Sequence, residues 1–201
     1  MVIDTETTAL RPVGPHGVIH LGAVEVDTEV LDTTGDAYQA ICKPVFEAEL
    51  IKDAWIFEHG ELTLEQVMDA PFHTEVAVQF ENWLADRPWT SYNLDFEEAF
   101  LCHEPWRLQR SGLKCIMLAA TPVCKIPNPH FDENAMSYDY DIDDPVYEPM
   151  SPYKWPKLRE AWDCIIGERY PAVWHSALQD ADAAARILLR MIESGGYKLP
   201  S

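Results

Sequence analysis

The chain opens on an apolar run, Met1-Val2-Ile3, that gives way at once to Asp4-Thr5-Glu6. Val2 and Ile3 suit a buried strand. A second apolar stretch, Gly17 to Val26 (GVIHLGAVEV), ends in apolar–polar alternation and predicts a second strand. Thr33, Thr34 and Gly35 within Asp32 to Asp36 predict a turn, and Tyr38 to Cys42 a third short strand. Strands this close in sequence pair most simply as an antiparallel meander.

Helical spacing follows. Leu62 to Met68 predicts a short helix, capped by Thr63 with Gln66 three residues on and ended by Pro71. Val76, Val78, Phe80, Trp83 and Leu84 trace a helical stripe from Thr74 to about Ala85. Pro88 to Tyr92 predicts a short strand. Asp95 predicts the cap of the next helix, with Glu98 as its reciprocal partner and Phe96, Phe100 and Leu101 as the apolar face. Lys114 to Ala120, Lys157 to Ile166 and Leu178 to Ile192 predict further helices, and the tail from Glu193 to Ser201 a frayed end. Thr121 to Trp155 is proline-rich, carries the acidic run Asp139 to Asp144, and shows neither period, so it reads as a long irregular insertion. This order predicts one α/β domain over residues 1–201, with a mixed central sheet, helices on its faces and the insertion at about 121–155.

Composition narrows the function. The 201 residues are 47% hydrophobic, which fits one globular domain. No apolar run reaches the roughly 20 residues that cross a bilayer, and acids from position 4 onward are unlike a signal peptide. The five cysteines are scattered without Cys-x-x-Cys, which points away from cysteine-held zinc and disulfides and toward a reducing cytoplasm. Acids outnumber bases 34 to 15, for a net charge of −19. That excludes a long groove of Lys and Arg on phosphates, but not a site that grips a short end through bound metal.

Asp4 and Glu6 stand two apart, so on a strand both carboxylates leave the same face. Buried there they need a counter-charge, and a hard divalent cation is the natural one. The pattern recurs at Asp27/Glu29 and Asp95/Glu97, so by itself it equally describes strand-end or cap acids. A histidine followed five positions later by Asp occurs once among seven histidines, at His175 and Asp180. Read alone, His175 is a polar loop residue, Glu58-His59-Gly60 a solvated turn, and the cluster Arg107, Arg110 and Lys114 either a phosphate contact or a solvated helix face. The tryptophans read mostly as core, with Trp174 beside His175 a candidate for base stacking.

Taken together these stretches resemble the DnaQ-like 3′–5′ exonucleases of the DEDDh group. The family's strand followed by Asp-x-Glu-Thr-Thr matches Asp4-Thr5-Glu6-Thr7-Thr8, its second motif matches Tyr92-Asn93 and Phe96-Glu97, and its His-x4-Asp matches His175 and Asp180. The resemblance runs from Asp4 to about Leu189 and implies a ribonuclease H-like fold. It implies hydrolysis of phosphodiester bonds at the 3′ end of single-stranded DNA or RNA, DNA favoured, by two divalent ions, Mg²⁺ or Mn²⁺. It assigns Asp4, Glu6, Glu97 and Asp180 to the metals, His175 to the general base, and Thr7, Leu10, His59 and Asn93 to the terminal nucleotide. A polymerase or a second copy is the implied protein partner, and no membrane is involved. Two departures stand out. Glu97 occupies a position where the family has Asp, which favours Mn²⁺ over the geometrically stricter Mg²⁺, and only three residues precede Asp4. The first departure keeps a second reading open, a degenerate domain that binds nucleic acid or a polymerase without cutting; a non-nuclease metal hydrolase is the third.

Overall fold

A computed structural model describes residues 1–14, 16–131, 151–170 and 176–200. Its sheet has four strands among the described residues, β1 (Val2–Thr7), β2 (Val18–Asp27), β3 (Asp32–Ile41) and β4 (Thr90–Ser91), in the order β3-β2-β1-β4. β1, β2 and β3 form the expected antiparallel meander, and β4 joins β1 in parallel. The helices are α1 (Trp55–His59), α2 (Leu64–Asp69), α3 (His73–Leu84), α4 (Leu94–Leu101), α5 (Ile116–Cys124), α6 (Leu158–Ile165) and α7 (Ala177–Glu193). They cover both faces. Ile3, Leu21 and Ala23 pack with Phe80, Phe100 and Leu101 on the α3/α4 side. Val2 and Val24 pack with Ile116, Trp162, Ala184 and Ile187 on the α5/α6/α7 side.

The turn expected at Asp32 to Asp36 is strand instead, and the reversal comes earlier. Asp27 Oδ1 accepts hydrogen bonds from the backbone N–H groups of Glu29 and Val30, and Leu31 takes a positive φ of 60°. An Asx turn therefore closes the hairpin before the branched Thr33, which pairs with Val26. Thr63 and Gln66 make the reciprocal cap predicted for α2. The tail is not frayed: Tyr197 is buried and its hydroxyl donates to the Lys114 carbonyl at 2.7 Å. Helical structure continues past Thr121 to Cys124. The arms of the insertion then pair, with Asn128 N–H on the Pro152 carbonyl and Lys154 N–H on the Ile126 carbonyl. The acidic run Asp139 to Asp144 lies outside the described residues. Among those residues no helix is long and apolar enough to cross a membrane.

Gly22 decides where α7 begins. It pairs with Asp4 across the β1/β2 ladder. A Cβ there would fall inside van der Waals distance of the Leu178 nitrogen and the Ala177 carbonyl carbon. Only a bare backbone lets the first turn of α7 press onto the sheet at the level of Asp4, and that contact carries Asp180 inward. Gly22→Ala should therefore push the helix off the sheet. Overpacking of this kind typically costs about 1–3 kcal/mol, and here the obstacle is backbone. Urea denaturation should show at least that loss; a variant with parental stability would mean that α7 is not seated by this contact.

Candidate functional site

β1 runs through its two acids. Asp4 and Glu6 project toward the α7 side with Val2, whereas Ile3 and Thr5 face α3 and α4. Asp180, in the first turn of α7, meets them. Ligand oxygens of Asp4, Glu6 and Asp180 all lie within 4.8 Å of one another. Asp180 is itself held, since the buried Tyr170 donates its hydroxyl to Oδ1 at 2.8 Å. The Tyr170 ring stands edge-on to Trp162 of α6, with centroids 5.5 Å apart. Sequence patterning does not single out Tyr170.

Glu97 arrives from the opposite side. It is 3% exposed, and its Oε2 accepts the Thr5 hydroxyl at 2.7 Å. Asp95, by contrast, is exposed, and it does not cap α4. The cap position is Asn93, without a side-chain hydrogen bond, which leaves Asp95 inside the first turn. Glu98 does not fold back to reciprocate; it accepts the Ser111 N–H at 2.8 Å and pairs with Arg110. The helix starts earlier than the Asp95–Glu98 spacing implied, so the same two acids fall on different faces.

Crowding dominates the electrostatics. Burial, then the charges of Glu97, Glu6 and Asp180, hold Asp4 well above the usual carboxylate range. Burial, with Asp180 and Glu97 adding to it, pushes Glu6 up to about 8. Burial also raises Glu97 to about 8 against the opposing hydrogen bonds from Thr5. Among the described residues no Lys or Arg forms an ion pair with Asp4, Glu6 or Glu97. Carboxylates buried together without a cation are costly, and all their donor atoms are hard oxygens, the donors that divalent cations such as Mg²⁺ and Mn²⁺ take.

The acids line a cavity of about 660 Å³, bordered by Thr7, Leu10 and Asn93 and walled by Trp55, Ile56, Phe96 and Leu158. The Thr7 hydroxyl donates to the Ala9 carbonyl, and Leu10 stands at the rim, 85% exposed. His59 is not among the residues that border the cavity. Its ring lies behind Trp55, stacked at 4.4 Å and 5°, and its Nδ1 is 3.0 Å from the Trp55 carbonyl oxygen. Trp55 itself is 56% exposed rather than core, a correction with a plain cause: α1 has five residues and buries only Ile56. Trp155 is likewise 60% exposed. Arg107 and Arg110 line a separate cavity of about 380 Å³ and pair with Glu104 and Glu98. His175 and Trp174 lie outside the described residues.

Known proteins share this fold. Among solved structures, a full-length 3′-exonuclease superposes with a TM-score of 0.67 at 19% identity, covering 98% of this chain and 60% of that one. A 3′-exonuclease solved for its recognition of the histone mRNA stem-loop superposes at 0.68 and 18% identity, covering 98% and 82%. At such identities the likeness establishes the fold, a ribonuclease H-like mixed sheet with helices on both faces. In sequence, the DNA polymerase III epsilon subunit of Rickettsia typhi is 32% identical over 121 residues, 60% of this chain and 50% of that protein. The same subunit of Escherichia coli is 30% identical over 114 residues, 55% and 44%. The chain thus matches about half the length of these relatives. The exonuclease family model matches residues 1–188, from the strand that carries Asp4 through the helix that carries Asp180. Strand, second motif and last helix are therefore matched as one unit, and the chain belongs to the RNase_T exonuclease family.

Proposed function

We propose that this chain is a DEDDh-type exonuclease that removes nucleotides from the 3′ end of single-stranded nucleic acid, DNA before RNA. The observation that carries this reading is the convergence of Asp4, Glu6 and Asp180 within 4.8 Å in a chain of the exonuclease family. Asp4, Glu6 and Asp180 would hold one divalent cation, and Asp4 with Glu97 a second. Bound there, the two ions supply charge stabilisation at the attacking and leaving oxygens. The remaining work belongs to the chain. His175 accepts a proton from the attacking water, whose oxygen bonds to phosphorus as the P–O3′ bond breaks; the departing oxygen takes a proton to become the new 3′-hydroxyl. Thr7, Leu10 and Asn93 border the terminal sugar and base, the Trp55 wall shields them from water, and His59 braces Trp55. Because sequence relatives are named as polymerase subunits, a DNA polymerase is the partner proposed, with a second copy of the chain as the alternative.

A 3′-labelled single-stranded oligonucleotide, as DNA and as RNA, tests the reading. Labelled mononucleotide should appear with Mn²⁺ or Mg²⁺, faster with Mn²⁺ given the longer Glu97 side chain, and not in EDTA. Binding without release would turn the site into a degenerate nucleic-acid grip. His175→Ala should slow release by roughly 10²–10⁴-fold, the range of a lost general base, with Mn²⁺ binding retained in calorimetry. Lost Mn²⁺ binding would make His175 a ligand instead.

A further inference from the structure

His20 stands on β2 directly across from Glu6, and paired residues of antiparallel strands leave the same face with Cβ atoms roughly 4.5–5.5 Å apart. It thus shares the carboxylate face, two pairs along from Gly22 and Asp4. The residue is 3% exposed. Its Nε2 lies 2.9 Å from the side-chain nitrogen of Gln39 on β3. Its Nδ1 is buried with no hydrogen-bond partner in the protein. Leaving such an atom unpaired costs on the order of 1–3 kcal/mol, and orphans of this kind are kept where something uses them. Burial holds the ring near a pKa of about 4, so it is neutral, with one nitrogen a donor and the other an acceptor. If Nε2 accepts from the Gln39 amide as that amide is assigned, the proton sits on Nδ1. A donor then stands beside an acid.

We propose that His20 is a positioning residue for Glu6: its Nδ1–H holds the Glu6 carboxylate, through one bridging water, in the orientation that takes a divalent cation. This rests on the two-ion reading above. His20 is not one of the groups whose ligand atoms converge with Asp4, Glu6 and Asp180, so it acts through Glu6 and not on the ion. Hydrogen bonds that orient ligands in this way commonly govern metal affinity. Gln39, on the exposed strand, fixes the ring from its far side.

Two replacements separate the ring's halves. In His20→Gln the amide reaches the Nε2 position, keeps Gln39 company and lacks the Nδ1 group. In His20→Asn the amide stands where Nδ1 was. Calorimetric titration with Mn²⁺ should show His20→Gln weaker by roughly 10–100-fold, with kcat on the labelled oligonucleotide reduced and KM little changed. His20→Asn should recover most of both. Gln39→Leu, at an exposed position, should fall between. Parental Mn²⁺ affinity in His20→Gln, or an Asn variant no better than Gln, overturns the proposal. Should either variant fail to melt cooperatively, Gln39→Leu decides, and parental affinity there overturns it. A parent protein that binds no Mn²⁺ overturns the two-ion reading, and this inference with it.

Discussion

Asp4→Ala is expected to lose at least roughly 10³-fold in nucleotide release, because a metal site supplies several kcal/mol of transition-state stabilisation and about 4 kcal/mol is a thousandfold. Asp4 is the acid that both proposed ions share. The fold should survive. Asp4 is joined to β2 through its backbone ladder with Gly22, which the substitution leaves in place. Its carboxylate is repelled by Glu97, Glu6 and Asp180, so its removal relieves a like-charge contact. Asp27→Ala is the internal control. Asp27 opens another Asp-x-Glu pattern, but its carboxylate closes the β2/β3 turn on the Glu29 and Val30 N–H groups. It should change stability and leave the chemistry alone. More than a few per cent of parental activity in Asp4→Ala would remove Asp4 from the site.

Glu6→Gln should make the metal-free protein more stable at alkaline pH while weakening its metal binding. Glu6 is raised by burial, Asp180 and Glu97 from 4.5 to about 8. Between those values the folded state holds a proton that the unfolded chain has released, so stability falls as pH rises through the window. Below pH 4.5 both states are protonated and the group contributes nothing. Above pH 8 both are ionised and the full penalty is present, on the order of 5 kcal/mol. In EDTA the variant should therefore gain over the parent progressively from pH 4.5 to 8. His20, whose lowered pKa acts with the opposite sign below its ordinary value, leaves the comparison undisturbed between pH 6.5 and 8. Adding Mn²⁺ at pH 8 should raise the melting temperature of the parent much more than that of Glu6→Gln. A variant less stable than the parent at pH 8 in EDTA would show that Glu6 is already compensated without a cation.

The site's acids were legible to different degrees. Asp4 and Glu6 could be read because strand period two dictates a shared face whatever the fold around them. Glu97 was legible only through its place after Phe96. The competing claim of Asp95 on a cap failed because the helix starts at Leu94, a backbone decision that leaves Asp95 in the first turn and in solvent. Trp55 was misread for a related reason. Large aromatics are buried on average, yet a five-residue helix has one inward face and Ile56 occupies it.

By itself the sequence determined the meander, the Thr63–Gln66 cap, the helical stripes on both sides of the sheet and the direction in which the β1 acids point. All of these follow from local periodicity and side-chain chemistry, which act over a few residues. Only the tertiary structure decided which acids meet. Asp180 lies 174 residues from Glu6, and it arrives because Gly22 leaves room for α7 and Tyr170 holds its carboxylate. Thr5 draws Glu97 in from the other face across 92 residues. The docking of the tail through Tyr197 and the placing of His20 beside Glu6 are likewise matters of register and packing between distant segments. Such contacts depend on close approach of backbones and on burial, neither of which a stretch of sequence expresses until its partner is in place.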